Sequence, residues 1–159
     1  MADTRDKQLE LWEELIPAFC RHERRHVLRL DNTNDMSLFH NTSIHRKLKP
    51  SDIHLVLQHL VDRKLAFWMD STQKACGIFW KSADTWAKEL HQWALANGRQ
   101  HTVMTVFDLD EIRPDEGEWT SLPVAHLIEV LRILEKEGMV ALFHSEDATD
   151  DLEMGVKFV

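Results

Sequence analysis

The stretch that decides the fold is residues 51–80, SDIHLVLQHLVDRKLAFWMDSTQKACGIFW. Ile53, Val56, Leu57 and Leu60 recur at i, i+3, i+4 and i+7, the apolar stripe of an amphipathic helix, and Ser51 and Asp52 behind Pro50 supply its start signals. Two short apolar runs follow, LAFWMD and ACGIFW, separated by the polar turn Ser71 to Lys74. Such a pair reads as a β-hairpin. Each stripe residue moved 74 positions on becomes Leu127, Val130, Leu131 and Leu134. Gly138 closes that second helix, and MVALFH, an acidic turn from Ser145 to Glu153, and MGVKFV follow. There Met154, Val156 and Phe158 alternate with Gly155 and Lys157, as in a half-buried strand.

Helices followed by a C-terminal hairpin, met twice, describe two tandem winged-helix domains of the α+β class, each a three-helix unit with a hairpin wing. The hairpin covers the apolar side of a helical unit too small to close its own core. The expected domains are residues 1–81 and 82–159, joined by a very short linker. The competing reading is a single α+β domain with a coincidental repeat. Around this frame, Leu9, Trp12, Ile16 and Phe19 form an opening stripe in which Pro17 predicts a kink or restart, and the basic run Arg21 to Arg25 suits a helix end. Residues 31–43 read as loop, with a short helix at Leu38 to Asn41 or around Ile44 to Leu48. Ser82 caps a helix striped by Trp86, Leu90 and Trp93, and Asn97-Gly98 ends it. Val103 to Leu109 is undecided between helix and strand, and residues 110–118 read as an acidic loop.

The sequence of 159 residues carries 27 acidic and 19 basic side chains, a net charge of −8. No apolar run reaches the roughly 18 residues of a membrane span, and the first residues have no signal-peptide core, so a cytoplasmic protein is expected. Cys20 and Cys76 read as free buried thiols of a reducing compartment. Six tryptophans and no tyrosine supply anchors for a small core or for an interface.

Charge argues against the chemistry that a winged helix first brings to mind. A recognition helix needs bases facing phosphate and groove. The candidate over 51–64 carries Asp52 and Asp62 beside Arg63 and Lys64, and that over 122–137 sets Arg132 and Lys136 against Glu129, Glu135 and Glu137. One wing offers Lys74 and Lys81, the other Asp147, Asp150, Asp151 and Glu153. No nucleic-acid partner is expected, and a nucleic-acid-binding winged helix is the alternative. His22-Glu23-Arg24-Arg25-His26 spells H-E-x-x-H, the zinc-peptidase pattern. It lies at a basic helix end, with two arginines between the ligands and no third ligand following. His22, Glu23 and His26 are therefore rejected as a metal site, leaving a zinc peptidase as the remote alternative. His40, His45, His54, His59, His91, His101, His126 and His144 lack metal spacing and read as surface or satisfied residues. There is no glycine-rich phosphate loop and no G-x-S-x-G elbow, so neither catalysis nor a cofactor is expected. Protein binding remains, with Trp119 and Phe107 as contact candidates or, equally, core.

The pieces Asp3-Thr4-Arg5, Lys7-Gln8-Leu9, Trp12, Phe19-Cys20, Leu38-Phe39-x-Asn41, Arg46-Lys47-Leu48, Trp68-x-Asp70, Trp80, Trp86, Trp93 and Gly155-Val156-Lys157-Phe158 run in order through the chain. On them the chain resembles the family of vacuolar protein-sorting-associated protein 25, the small subunits of the endosomal sorting complex ESCRT-II. The resemblance implies two tandem winged helices and a non-catalytic scaffold. Two copies would join one copy each of two larger ESCRT-II subunits through the first domain. The second domain would recruit the N-terminal helix of an ESCRT-III subunit, for sorting of ubiquitinated cargo to multivesicular bodies. The chain would then sit at endosomes peripherally, reaching the membrane only through the complex. The expected helix-binding contacts are Met104, Thr105, Phe107, Leu122, Arg132 and Lys136, as an amphipathic helix in a groove requires. Family members carry a proline- and aromatic-rich N-terminal docking segment. This sequence opens Met1-Ala2-Asp3-Thr4-Arg5, so a shortened form is expected, which leaves core docking open and the ESCRT-III surface intact. Pro17 and the H-E-x-x-H string are not features of the family.

Overall fold

The first unit starts with the stripe on α1 (Ala2–Glu23), which buries Ile16 and Cys20 and packs Leu9, Trp12 and Phe19 onto the same core. In this computed structural model, residues 2–31, 37–41, 46–144, 146 and 150–159 are described. His45 and Asp147, named above as a histidine without metal spacing and a wing acid, lie outside them, as does Ile44. The chain divides into two compact units, Met1–Ser82 and Ala83–Val159.

The helix α1 runs through Pro17 without the restart predicted for it. Proline removes one hydrogen bond from a helix interior, but Ile16, Pro17 and Cys20 are buried, and that packing keeps the helix continuous. After α1 come β1 (Val27–Arg29), a 3-10 turn (Ser37–Phe39), and β2 (His40–Asn41) paired antiparallel with β3 (Arg46–Lys47). A strand pairing therefore stands at Arg46–Lys47, where a short helix was one expectation. Helix α2 (Pro50–Asp62) follows and buries Ile53, Val56, Leu57 and Leu60. Each such aliphatic side chain contributes about 1.5–3 kcal/mol, far more than helix propensity supplies. Strands β4 (Ala66–Trp68) and β5 (Ala75–Ile78) form the wing, and β1 joins it in a three-stranded antiparallel sheet of order β1-β5-β4.

The second unit repeats the plan. Helix α3 (Ala83–Ala96) buries Trp86, Leu90 and Trp93. Strand β6 (Val103–Thr105) leads straight into α4 (Val106–Asp110), so the undecided stretch Val103 to Leu109 holds one of each. Two 3-10 turns, Pro114–Glu116 and Glu118–Ser121, precede α5 (Val124–Lys136), which buries Leu127, Val130, Leu131 and Leu134. Strands β7 (Val140–Phe143) and β8 (Gly155–Phe158) close a sheet of order β6-β8-β7. Both sheets thus have the same topology, an early strand flanking the last strand of the hairpin. The hairpin strands are legible because each pair of apolar runs brackets a polar turn, whereas β1 and β6 have no such turn beside them and only three residues each.

The repeat extends to the backbone of the helix ends. Arg24, Lys64, Gly98 and Gly138 follow α1, α2, α3 and α5 with φ of 55°, 60°, 65° and 77°. In each case the residue's N–H bonds three positions back, and the next N–H bonds five back. Thus Leu65 N–H reaches Leu60 O at 2.9 Å, and Met139 N–H reaches Leu134 O at 2.9 Å. These are Schellman ends, which satisfy the last carbonyls of a helix and require a left-handed residue.

Candidate functional site

The segment that carries half of the expected contacts, Met104, Thr105 and Phe107, is the β6–α4 junction. Thr105 is the N-cap of α4: its hydroxyl accepts from Asp108 N–H at 3.1 Å, and the Asp108 carboxylate accepts from Thr105 N–H at 2.9 Å. This capping box satisfies two donors that a helix start leaves unpaired. It fixes the first turn so that Val106 and Leu109 are fully buried while Phe107 points out, 51% exposed. Phe107 is therefore a surface residue rather than a core one.

The other expected contacts divide by depth. Met104 pairs with Val156 across the sheet and is buried, as is Leu122. Arg132 is exposed on α5 and its guanidinium donates to Glu129 at 3.1 Å. Lys136 lies one turn further on, also exposed, where i and i+4 share a helix face. Helix α4 packs against α5. The surface members of the set are therefore Phe107, Arg132 and Lys136, with Met104 and Leu122 beneath the surface and the Thr105 hydroxyl used as a cap. Trp119, the other contact candidate, is 2% exposed and belongs to the core, edge-on to Trp93 with centroids 4.9 Å apart.

One apolar surface went unread in the sequence. The outward face of the second sheet holds Val103 (67% exposed) and Phe143 (51%), with Met139 and Val159 beside the strand ends. The signal was present in MVALFH, which is apolar at consecutive positions, where a one-sided strand should alternate.

The histidine motif is taken apart by the fold. Helix α1 ends at Glu23 and Arg24 turns left-handed, so His22 and His26 do not share the helix face that zinc would need. His26 instead stacks on Trp80, centroids 4.5 Å apart, and burial holds its imidazole below the usual range. Among the described residues no group of three or more His, Cys, Asp or Glu is placed to hold a metal ion. The exposed positions of α2 are Pro50, Ser51, Leu55 and Asp62, and Arg63 and Lys64 follow its end, so the helix presents no basic face. Both cysteines are buried and in no disulfide, and burial pushes the Cys76 thiol up to about 12.

Comparison with known proteins adds the following. Residues 1–123 match the sequence model of a family described as ESCRT-II complex subunit. Vacuolar protein-sorting-associated protein 25 of Xenopus laevis is 32% identical over 157 residues, covering 98% of this chain and 87% of its own. The Arabidopsis thaliana protein of that name is also 32% identical, with coverages of 98% and 85%. The human protein is 29% identical, with coverages of 98% and 86%. Among solved structures, the crystal structure of subunit VPS25 of the endosomal trafficking complex ESCRT-II covers all of this chain and 90% of its own, with TM-score 0.77 and 23% identity. A chain in the crystal structure of the endosomal complex ESCRT-II (VPS22/VPS25/VPS36) matches with TM-score 0.70, 22% identity and coverages of 100% and 90%. At these identities the structural likeness carries the fold, two tandem winged helices.

Proposed function

The chain belongs to the family of ESCRT-II complex subunits, and from that membership we propose that it links the core of ESCRT-II to ESCRT-III in the endosomal sorting of cargo to multivesicular bodies. Its role is that of a non-catalytic subunit. In this reading the first winged helix faces two larger subunits of the kind named in the complex VPS22/VPS25/VPS36. The second offers Phe107, Arg132 and Lys136 to the N-terminal helix of an ESCRT-III subunit. Met104, Thr105 and Leu122 set that surface from beneath.

The observation that carries the reading is the match to vacuolar protein-sorting-associated protein 25 along 98% of the chain. The site supports it chemically. An exposed aromatic ring and two cations suit a helix with an apolar stripe and acidic flanks, the helix-in-groove mode of recognition. No helix among the described residues is long and apolar enough to cross a membrane, so the proposal places the chain at endosomes through its complex.

Reconstitution tests this. The chain, two larger ESCRT-II subunits and an ESCRT-III subunit are mixed and resolved by size. Retention of ESCRT-III on the ESCRT-II core only when the chain is present is expected. Equal retention without it would refute the linking role.

A further inference from the structure

Strand register arranges the outward face of the second sheet in three rows. Met139 lies beside Val159, Ala141 beside Lys157 and then Val103, and Phe143 beside Gly155 and then Thr105. Val103, Met139, Phe143 and Val159 are all exposed, while the alternate residues Met104, Val140, Val156 and Phe158 are buried. Single apolar side chains are ordinary on a surface, but a contiguous set on one sheet marks an interaction site. Lys157 stands in the middle row, between Ala141 and Val103. Its ammonium has no ion pair among the described residues.

The edges of this sheet tell against an added strand. On β7 the Leu142 N–H donates to the Glu135 carboxylate at 3.1 Å, and on β6 the Thr105 N–H donates to the Asp108 carboxylate at 2.9 Å. A strand docking at either edge would have to displace a charged acceptor. A partner therefore meets the face. The two outer strands are about 10 Å apart, the width of one α-helix with its side chains. A helix of about nine residues matches the length of a four-residue strand.

Charge selects the occupant. A second copy of this chain, laid face to face about a two-fold axis, would bring one Lys157 toward the other. An anionic membrane would meet the acids of the loop between β7 and β8, where Glu146, Asp150, Asp151 and Glu153 are exposed. A helix with a carboxylate set within its apolar stripe meets neither obstacle and supplies the charge that Lys157 lacks. We propose that the outward face of the β6-β8-β7 sheet binds one amphipathic helix of a partner protein. Its apolar stripe covers Val103, Met139 and Phe143, and its carboxylate pairs with Lys157. This face uses none of Phe107, Arg132 and Lys136 and stands independently of the surface assigned to them.

The test titrates the full chain with two acetylated, amidated helix peptides, LQALLQAEAQLLAQL and LQALLQAKAQLLAQL, which differ only in the charge at the centre of the leucine stripe. Saturable binding of the glutamate peptide is expected, about fivefold tighter than the lysine peptide, and Lys157→Glu should reverse that preference. Phe143→Ala should weaken binding about tenfold, while Phe107→Ala should change it less than about twofold. Absence of saturable binding, a preference that Lys157→Glu leaves as it was, or a loss on Phe107→Ala in place of Phe143→Ala would each overturn the proposal. Vesicles of phosphatidylserine and phosphatidylcholine form the second arm, and no co-flotation of the chain is expected. Co-flotation that Phe143→Ala abolishes would assign the face to lipid and overturn the helix as its occupant.

Discussion

Lys64 and Gly138 hold the same backbone position 74 residues apart, each the left-handed residue that ends the second long helix of its unit, with φ of 60° and 77°. The glycine adopts that conformation without penalty. The lysine pays the steric cost of its Cβ, about 1 kcal/mol. Lys64→Gly should therefore stabilise the protein by about 0.5–1 kcal/mol, read from the urea midpoint. Gly138→Ala should destabilise by about 1 kcal/mol, although nothing lies within 4 Å of the added Cβ. A lysine variant that loses stability would mean that its side chain contributes more than its backbone costs.

Glu13 on α1 accepts from His59 on α2 at 3.0 Å and from Arg63, just past the end of α2, at 3.1 Å. Burial alone would raise its carboxyl, but the hydrogen bonds and charges of His59 and Arg63 outweigh that and hold it below the usual range. A carboxylate lowered in the folded state adds stability that is complete above its unfolded value, about 4.3, and is lost as pH falls through the folded value. Glu13→Gln should cost about 0.5–1 kcal/mol at pH 7, the scale of a solvent-screened pair. The gap to the unsubstituted protein should close as the pH is lowered below about 4. Thermal melts of both proteins across that range check it, and a gap independent of pH would contradict it.

His26 gives a second, separate pH window. Burial against Trp80 holds its imidazole low, so its protonation opposes folding. The stability it allows is complete above the unfolded value of about 6.5 and falls as pH drops below it. His26→Phe should keep the stacking and flatten the melting temperature between about pH 6.5 and 5 relative to the unsubstituted protein.

The thiols should be silent in the folded state. Cys76 is 0% exposed with its thiol pushed up to about 12, first by burial, and the thiolate is the reactive form. Cys20 is equally buried. An aromatic disulfide reagent at pH 8 should therefore titrate neither cysteine until denaturant is added. Rapid release of colour from the native protein would contradict this.

Much of the fold could be read from the amino acids, because its information lies in long periodic stripes. Ile53 to Leu60 and Leu127 to Leu134 declare two helices and their shared register, and Gly98 and Gly138 declare two ends. Arg24 and Lys64 hide the matching ends, since a charged residue carries no left-handed signal. Strands β1 and β6 hide because three residues cannot show alternation and no polar turn pairs them with a second apolar run, as one does β4 and β5. Pro17 misleads because propensity is local, whereas the burial that overrides it comes from Ile16 and Cys20. The candidate contacts were legible as a segment but not in depth: Met104 and Phe107 are three residues apart and both apolar, and only the capped turn at Thr105 sends one inward and the other out.

Depth can be tested on its own. Phe107→Ala should leave stability within about 0.5 kcal/mol, as an exposed truncation does, whereas Leu122→Ala should cost about 2–5 kcal/mol. Urea unfolding of the two variants decides which of them is surface.

Calorimetric titration of the full chain with an N-terminal helix peptide of an ESCRT-III subunit, run in parallel on Arg132→Glu and Phe107→Ala, tests the proposed linking role most directly. One-site saturable binding is predicted for the unsubstituted chain, weakened at least about tenfold by either substitution, the scale of a lost interface anchor. No binding to the folded chain would contradict the linking role, and binding that both variants retain would contradict the surface assigned to it.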